Sequence, residues 1–269
     1  MTHAATAMTY EFSARTDKGR VRGNNEDAVA VDRGAQIAIL ADGMGGYNAG
    51  EVASSMATTF IRTEMARWLA QVAAPPQSTD VRRALEACVE QANHAILDAA
   101  LSNPQYAGMG TTLVVAVFYG SRLILGHIGD SRCYRVRNGR MQQITRDHSW
   151  LQEQVDAGLL TAQQAAQSSH RNLVTRALGV EPNVLLEVNE FQVAPNDLFV
   201  LCSDGLTDMV TDPDLADLLR APLALEDKVT LLIDTANANG GRDNVSVVLV
   251  QAAAGGKKRG LMSRWLRAS

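Results

Sequence analysis

Several features that would assign this sequence to a special class of protein are scarce or missing. Aromatic residues make up 5% of the 269 residues, so the core must be built mainly from aliphatic side chains and alanine. The longest apolar run, TLVVAVF, is far shorter than the ~20 residues of a membrane-spanning helix. The first ten residues, MTHAATAMTY, have neither the basic nor the apolar segment of a signal peptide. We therefore expect a protein of the cytoplasm.

The cysteines and the net charge exclude further classes. Cys88, Cys133 and Cys202 form no close-spaced pair, which suits a reducing compartment and argues against a disulfide framework or a cysteine zinc site. The net charge of −4 gives no reason to expect nucleic-acid binding. Hydrophobic content of 46% and charged content of 20% are ordinary for a globular protein.

The basic charge is concentrated at the C-terminus. The last thirteen residues, KKRGLMSRWLRAS, contain five Lys or Arg and no acid, which leaves 20 basic and 29 acidic residues in the rest of the chain. Leu261, Met262, Trp265 and Leu266 would share one face of a short helix. We predict one domain over residues 8–252 and a basic amphipathic tail over 253–269. The tail is either a frayed terminus or a weak contact for an anionic membrane surface or a protein partner.

The pattern of elements predicts an α+β fold. Apolar spacing indicates long helices over 49–71 and 81–101, and strand-like runs before and after them are separated by tight turns such as Asn138-Gly139. Successive hairpins make the sheets antiparallel, unlike the parallel sheet of nucleotide-binding proteins. We expect two antiparallel β-sheets packed as a sandwich with helices outside. Residues 146–182 are polar and partly helical, and they are typical of an insertion rather than of core.

Four acidic residues stand just past an apolar run or a glycine turn. They are Asp42 in ILADGMGG, Asp130 in GHIGDSR, Asp204 in VLCSDG and Asp243 in GGRDNVSV. Any one of them alone is typical of a turn. Four at strand ends indicate a site for Mg²⁺ or Mn²⁺, which prefer oxygen ligands. Gly43 would let a main-chain oxygen approach such an ion.

A second polar cluster lies in the stretch GRVRGNNEDAVA. Arg22, Glu26 and Asp27 form either a solvated loop or part of the site. In the second case Arg22 grips an anion, and Asp27 or Glu26 orders water next to the metals. His127 and His148 also lie near strand-end acids, and we interpret them as hydrogen-bonded structural residues rather than ligands.

The sequence resembles a known family, the metal-dependent PPM/PP2C-type serine/threonine protein phosphatases in their bacterial form. The resemblance covers about residues 9–250 and is specific because the matching pieces stand in the family's order. These pieces are TDKGRVRGNNEDA, ILADGMGGYNAGEVAS, MGTTLVV, HIGDSRCYRVRNG, ITRDHS, RALG, DLFVLCSDGLTD and RDNVSVVLV.

The resemblance implies a fold and a set of metal ligands. The fold is two antiparallel sheets sandwiched between pairs of helices. Asp42 would bridge two Mn²⁺ or Mg²⁺ ions, and the carbonyl oxygen of Gly43 would bind one of them. Asp204 and Asp243 would complete the other site. Asp130 together with Asp204 resembles a looser third metal site.

The resemblance also implies an activity. Arg22 resembles the arginine that binds the substrate phosphate, and Glu26 with Asp27 matches the acidic pair that organises water. The expected reaction is hydrolysis of phosphoserine and phosphothreonine in proteins by a two-metal-activated water. The expected partners are phosphoprotein substrates and a cognate Hanks-type kinase, and the expected state is a monomer.

The sequence departs from the family pattern in two places. Met44 stands where eukaryotic members have a histidine that is a proposed general acid, and methionine cannot protonate a leaving group. His170 is not followed by the proline that bacterial members often carry, which affects the shape of segment 146–182 rather than the metal site.

Two other functions stay open at the level of sequence. A relative that binds partners without catalysis would usually have lost one or more site acids, whereas all four are present here. A phosphatase that acts on a small phosphoester is compatible with the same residues.

Overall fold

The computed structural model describes residues 8–46, 48–72, 75–166, 168 and 173–255. Within these ranges the chain forms runs of strands separated by groups of helices, as in an α+β fold.

The strands are β1 (Met8–Asp17), β2 (Asp27–Asp32), β3 (Ile37–Met44), β4 (Gly110–Thr111), β5 (Leu113–Tyr119), β6 (Arg122–Ile128), β7 (Arg132–Arg137), β8 (Arg140–Gln143), β9 (Glu187–Gln192), β10 (Leu198–Cys202) and β11 (Val245–Ala254). The α-helices are α1 (Ala49–Gln71), α2 (Ser78–Ser102), α3 (Trp150–Asp156), α4 (Ala162–Ala166), α5 (Asp204–Thr207), α6 (Asp212–Arg220) and α7 (Leu225–Ala238). A 3₁₀ turn covers Pro104–Tyr106.

The strands form two antiparallel sheets. Sheet I has the order β1-β11-β10-β7-β8, and sheet II has the order β2-β3-β5-β6-β9 with β4 paired to β3. The hairpin between β7 and β8 turns at Asn138 and Gly139, whose φ angles of 51° and 75° are those of a two-residue turn that favours these residue types. The predicted fold class is confirmed.

An apolar layer joins the two sheets. Phe118 of sheet II packs between Phe12 and Phe199 of sheet I, with ring centroids 6.1 and 5.3 Å away in edge-to-face geometry. Helices α1 and α2 cover the outer face of sheet II, and α6 and α7 cover that of sheet I. The result is a four-layer molecule in which aliphatic side chains fill most of the core, as the low aromatic content predicts.

Helix α1 packs against sheet II through small side chains spaced one per turn. Ala49, Ala53 and Ala57 are fully buried, and Ile61 and Met65 continue the same face. Alanine at these positions lets the first turns of the helix approach the strands closely. The bounds of this helix agree with the sequence prediction.

The start of α2 differs from the sequence prediction. The helix begins at Ser78, three residues before the predicted start at residue 81, and no side chain caps it at Gln77. The Ser78 hydroxyl makes tertiary contacts, donating to Glu190 Oε1 at 2.8 Å and accepting from Tyr119 OH at 2.8 Å.

Segment 146–182 is partly helical, as predicted, but its ends belong to the core. Leu151 and Leu178 are buried. Isolated bridges between Ser149 and Val174 and between Thr111 and Leu178 tie the segment to itself and to the sheet. The prediction that this segment is an insertion rather than core therefore does not hold for its ends.

The predicted boundary at residue 252 falls inside a strand. β11 continues to Ala254 and pairs there with Met8 of β1. Residues 256–269 lie outside the described residues, so the amphipathic tail stays a prediction. Among the described helices, none combines the length and the apolar character needed to cross a bilayer.

The two faces of α2 allow a matched stability test. Leu85 lies on the fully buried face of α2, whereas Leu101 on the same helix is 83% exposed. We expect Leu85→Ala to lower the free energy of unfolding by about 2–5 kcal/mol because it leaves a cavity. The same change at Leu101 should stay within about 0.5 kcal/mol. Urea denaturation followed by circular dichroism measures both, and equal losses would contradict the described packing of α2.

Candidate metal centre

The predicted metal ligands lie at one end of the sandwich, where the two sheets meet. Asp42 and Gly43 belong to β3 of sheet II, and Asp130 follows β6 of the same sheet. Asp204 follows β10 of sheet I, and Asp243 precedes β11 of that sheet. The tertiary fold, rather than any local stretch of sequence, brings these residues together.

One open cavity of about 380 Å³ collects them. Its lining is mostly polar and includes residues that the sequence predicted as well as neighbours that it did not. The lining residues are Arg22, Glu26, Asp42, Gly43, Met44, Gly45, Thr112, Asp130, Leu173, Val174, Asp204, Asp243 and Asn244. Asp27 is buried beside this cavity, opposite Asp42 in the β2–β3 ladder.

Close approach of main chains explains the glycines beside the acids. A Cβ atom on Gly43 would lie 2.1 Å from the carbonyl oxygen of Gly50, at the start of α1. A Cβ atom on Gly205 would lie 1.9 Å from the carbonyl oxygen of Asn244. No side chain fits in either place, so glycine is required next to Asp42 and next to Asp204.

The main chain of Asp42 is held by β4 and the residue after it. Its N–H donates to Thr112 Oγ1 at 3.0 Å, and its carbonyl oxygen accepts from Thr112 N at 2.8 Å and from Thr111 Oγ1 at 2.9 Å. These bonds fix the main chain from which the Asp42 carboxylate reaches the cavity.

Three of the acids, Asp42, Asp130 and Asp204, have a raised pKa. Burial is the largest cause, and it raises the pKa of Asp42 and Asp204 well above the usual range and that of Asp130 to about 6. Repulsion from neighbouring carboxylates adds to the effect. Acidic groups buried together in this way are stabilised by a cation between them. Carboxylate oxygens and a nearby main-chain carbonyl oxygen are the type of ligand that hard divalent ions prefer.

Asp27 and Glu26 are fixed behind the ligands. Ser203 Oγ donates to Asp27 Oδ2 at 2.8 Å, and burial raises the pKa of Asp27 to about 6, while Asp27 Oδ1 has no partner although it is buried. The main-chain N–H of Glu26 donates to Asn244 Oδ1 at 2.7 Å. Glu26 therefore lines the cavity and Asp27 is buried beside it, so neither belongs to a solvated loop.

Arg22 lies at the mouth of the cavity. Its Nη2 donates to Asp243 Oδ2 at 2.6 Å, and this contact raises the pKa of Arg22. The side chains are 54% and 28% exposed, so the ion pair is worth at most about 1 kcal/mol. A phosphate group or a cation could therefore exchange with either partner at little cost.

Sequence reasoning missed several polar residues that hold the site. Thr112 binds Asp42, Ser203 binds Asp27, and Ser246 N donates to Ser203 Oγ at 3.0 Å. Asn244 binds Glu26 and the carbonyl oxygens of Lys18 and Asn24. The short stretches that pointed to the acids, such as RDNVSV and SDG, contain most of these residues, but nothing in the sequence says which acid each one binds.

Comparisons with known proteins agree with this geometry. The protein phosphatase 2C family profile matches residues 18–246. The serine/threonine phosphatase Stp of Listeria welshimeri is 37% identical over 247 residues, which is 91% of this chain and 96% of that protein. The crystal structure of the Mycobacterium tuberculosis serine/threonine phosphatase PstP/Ppp is 38% identical, with a TM-score of 0.82 over 90% of this chain and 98% of that one. A PstP catalytic domain solved with two manganese ions is 36% identical, with a TM-score of 0.80 over 91% and 99%.

The chain belongs to the protein phosphatase 2C family. The resemblance seen in the sequence and the enzyme class that it implied, a metal-dependent protein phosphatase, are confirmed. The roles assigned to individual residues stay predictions.

Titration of the buried acids gives a test on metal-free protein. Because folding raises the pKa of Asp130 from 3.8 to about 6, the folded state binds its proton more tightly than the unfolded state. Asp130 therefore has little effect on the free energy of unfolding below about pH 4. It lowers this free energy increasingly between about pH 4 and 6, and by its full amount above about pH 6. In chelator, Asp130→Asn should be more stable than wild type by on the order of 1–3 kcal/mol at pH 7 and equal to it near pH 4.

Denaturant unfolding at the two pH values measures this difference. Asp217→Asn, at an exposed position on α6, is the control and should change stability by less than about 0.5 kcal/mol. An Asp130→Asn variant no more stable than wild type at pH 7 would contradict the burial of this carboxylate.

Proposed function

We propose that the protein hydrolyses phosphoserine and phosphothreonine in proteins, with two Mn²⁺ or Mg²⁺ ions at the cavity. The observation that carries the proposal is the convergence of Asp42, Asp130, Asp204 and Asp243 from both sheets on one open cavity, with Arg22 at its mouth. The choice of ion is supported by a related structure at 36% identity, which was solved with two manganese ions.

Each ion has candidate ligands among the residues of the cavity. Asp42 would bind both ions, and the carbonyl oxygen of Gly43 would bind one of them. Asp204 and Asp243 would bind the other. Asp130, which lies close enough to Asp204 to raise its pKa, would share a weaker third ion with it. When bound, such ions activate water and neutralise charge on phosphate oxygens.

The protein's own groups would bind and orient the substrate. Arg22 can leave Asp243 at little cost and place its guanidinium on two oxygens of the phosphate. Asp27, whose Oδ1 is buried and without a protein partner, is positioned to accept a hydrogen bond from an ordered water. Glu26 lines the cavity beside it and is held by Asn24 Nδ2 at 3.1 Å.

The leaving oxygen must receive a proton from another source than residue 44. Met44 lines the cavity and has no proton to give. Among the described residues that line the cavity there is no histidine. The proton would therefore come from a water at the cavity or from a histidine nearby.

Partners and location extend the proposal beyond the site. A cognate Hanks-type kinase would supply the phosphoproteins, the enzyme would act as a monomer in the cytoplasm, and the tail over 253–269 would make weak surface contacts. Cys88, Cys133 and Cys202 are free and buried, which suits a reducing compartment. Release of phosphate from phosphothreonine, phosphotyrosine and small phosphoesters, with Mn²⁺ and with chelator, separates a protein phosphatase from a small-molecule phosphatase and from a non-catalytic relative.

Loss of ligand charge should stop the reaction without unfolding the protein. Asp204→Asn and Asp243→Asn each remove a negative charge from the cation site while keeping the shape of the side chain. We expect turnover of phosphothreonine peptide to fall at least about 100-fold in each variant. Circular dichroism should be unchanged, and Asp98→Asn on α2 is the control. Turnover within a few-fold of wild type in either variant would contradict the assignment.

Arg22 should affect substrate binding more than turnover. Its guanidinium would contact the phosphate in both the ground state and the transition state, which is uniform binding. Arg22→Ala is therefore expected to raise KM for p-nitrophenyl phosphate about tenfold with a smaller effect on kcat. Steady-state kinetics measures both, with Arg67→Ala on α1 as the control. A fall in kcat at constant KM would instead make Arg22 a transition-state residue.

A further inference from the structure

Another polar cluster, made of His127, His148 and Glu187, lies beneath the loop that carries Asp130. His127 lies one residue before the end of β6 and pairs in the sheet with Glu187 at the start of β9. His148, from the loop after β8, stacks on His127 with ring centroids 4.7 Å apart and planes 15° from parallel. Both histidines are buried, and Glu187 is 37% exposed. No step of the proposed reaction uses these three residues.

His148 binds both main-chain groups of the glycine that precedes Asp130. Gly129 N donates to His148 Nδ1 at 3.2 Å, and His148 N donates to the carbonyl oxygen of Gly129 at 2.9 Å. With Nδ1 accepting, the ring proton is on Nε2, which donates to Glu187 Oε2 at 3.3 Å. The carboxylate therefore holds the ring in the tautomer that the glycine N–H needs.

The loop is clamped from the other side by Thr112. Gly129 has a φ of +98°, and a Cβ atom there would lie 2.7 Å from Thr112 Cγ2. Thr112 Oγ1 is 2.8 Å from Ser131 Oγ, so the residues on either side of Asp130 are both fixed. Asp130 itself is 8% exposed and lies at the cavity. Its carboxylate is placed by this clamp.

The cluster is poorly arranged to bind a metal ion itself. Two imidazoles and a carboxylate are common zinc ligands, but each ring nitrogen binds an ion in the plane of its ring. Nearly parallel stacked rings direct those lone pairs side by side and not to one point. His127 Nε2 is also engaged, 2.8 Å from the carbonyl oxygen of Arg146.

We propose that His148, oriented by Glu187, is a positioning residue that fixes Gly129 and thereby holds the Asp130 carboxylate in place for a divalent cation. This inference rests on the proposed function, because it needs a cation at Asp130. His148 and Glu187 would then affect the affinity for the cation without contacting it.

Mn²⁺ binding measured by calorimetry on the full chain tests the proposal without relying on activity. We expect His148→Leu and Glu187→Leu to weaken the Asp130-dependent Mn²⁺ site about tenfold, as loss of a partner behind a ligand typically does. The tighter sites should be unchanged. His148→Asn keeps an acceptor near the position of Nδ1, and Glu187→Gln keeps an acceptor for Nε2, so both should stay within about threefold of wild type. His94→Leu, at a histidine on α2 that contacts Pro182, is the control.

The outcomes separate this inference from the proposed function. Asp130→Asn defines which binding event belongs to Asp130. If wild type and Asp130→Asn bind Mn²⁺ alike, the assignment of Asp130 fails and the inference fails with it. If wild type has an Asp130-dependent site that both leucine variants retain at full affinity, the inference alone is overturned. Should His148→Leu not fold, Glu187→Leu, at a half-exposed position, decides in the same way. A tight Zn²⁺ site in wild type that His148→Asn loses would also overturn the positioning role.

Discussion

Repulsion among buried carboxylates is the constraint on which the rest of this structure depends. Asp42, Asp130 and Asp204 are removed from water close to one another, and burial raises the pKa of each. Such an arrangement costs free energy that only protons or cations can offset. The surrounding residues hold the acids in place regardless of this cost. Main-chain contact at Gly43 and Gly205 brings the strand ends together, the hydroxyl of Thr112 holds the main chain of Asp42, and the hydroxyl of Ser203 holds the Asp27 carboxylate.

The site therefore combines rigid acids with one exchangeable ion pair. Arg22 and Asp243 are both accessible, and their contact is weak because water screens it. Behind this pair, Asp27 accepts a hydrogen bond from the hydroxyl of Ser203, and Glu26 accepts one from the side-chain amide of Asn24. This division lets the centre accept ligands at its mouth without disturbing the residues that support it.

Much of the fold and most of the centre could be predicted from the sequence, for identifiable reasons. Helix α1 follows from its apolar spacing and the hairpin at Asn138 from its turn chemistry, which are both local signals. The acids were predicted because each stands just past an apolar run or a glycine turn. The start of α2 was predicted at residue 81 rather than at Ser78, whose hydroxyl contacts Glu190, more than a hundred residues away. The partners of Asp27 and Asp42, and the ends of segment 146–182, were missed for the same reason, since their contacts are made only by the tertiary fold.

The meeting of the two sheets at the acids makes any bound cation a cross-link. Asp42 belongs to sheet II, whereas Asp204 follows β10 and Asp243 precedes β11 of sheet I, so an ion bound to acids from both sheets would oppose their separation. Ligand that binds only the folded state adds its binding free energy to stability, about 2.7 kcal/mol at a hundredfold excess over Kd. With such an ion bound, the working lifetime of the protein in a cell would depend on the supply of divalent metal as well as on the apolar core, and starvation for that metal would reduce the amount of protein along with its activity.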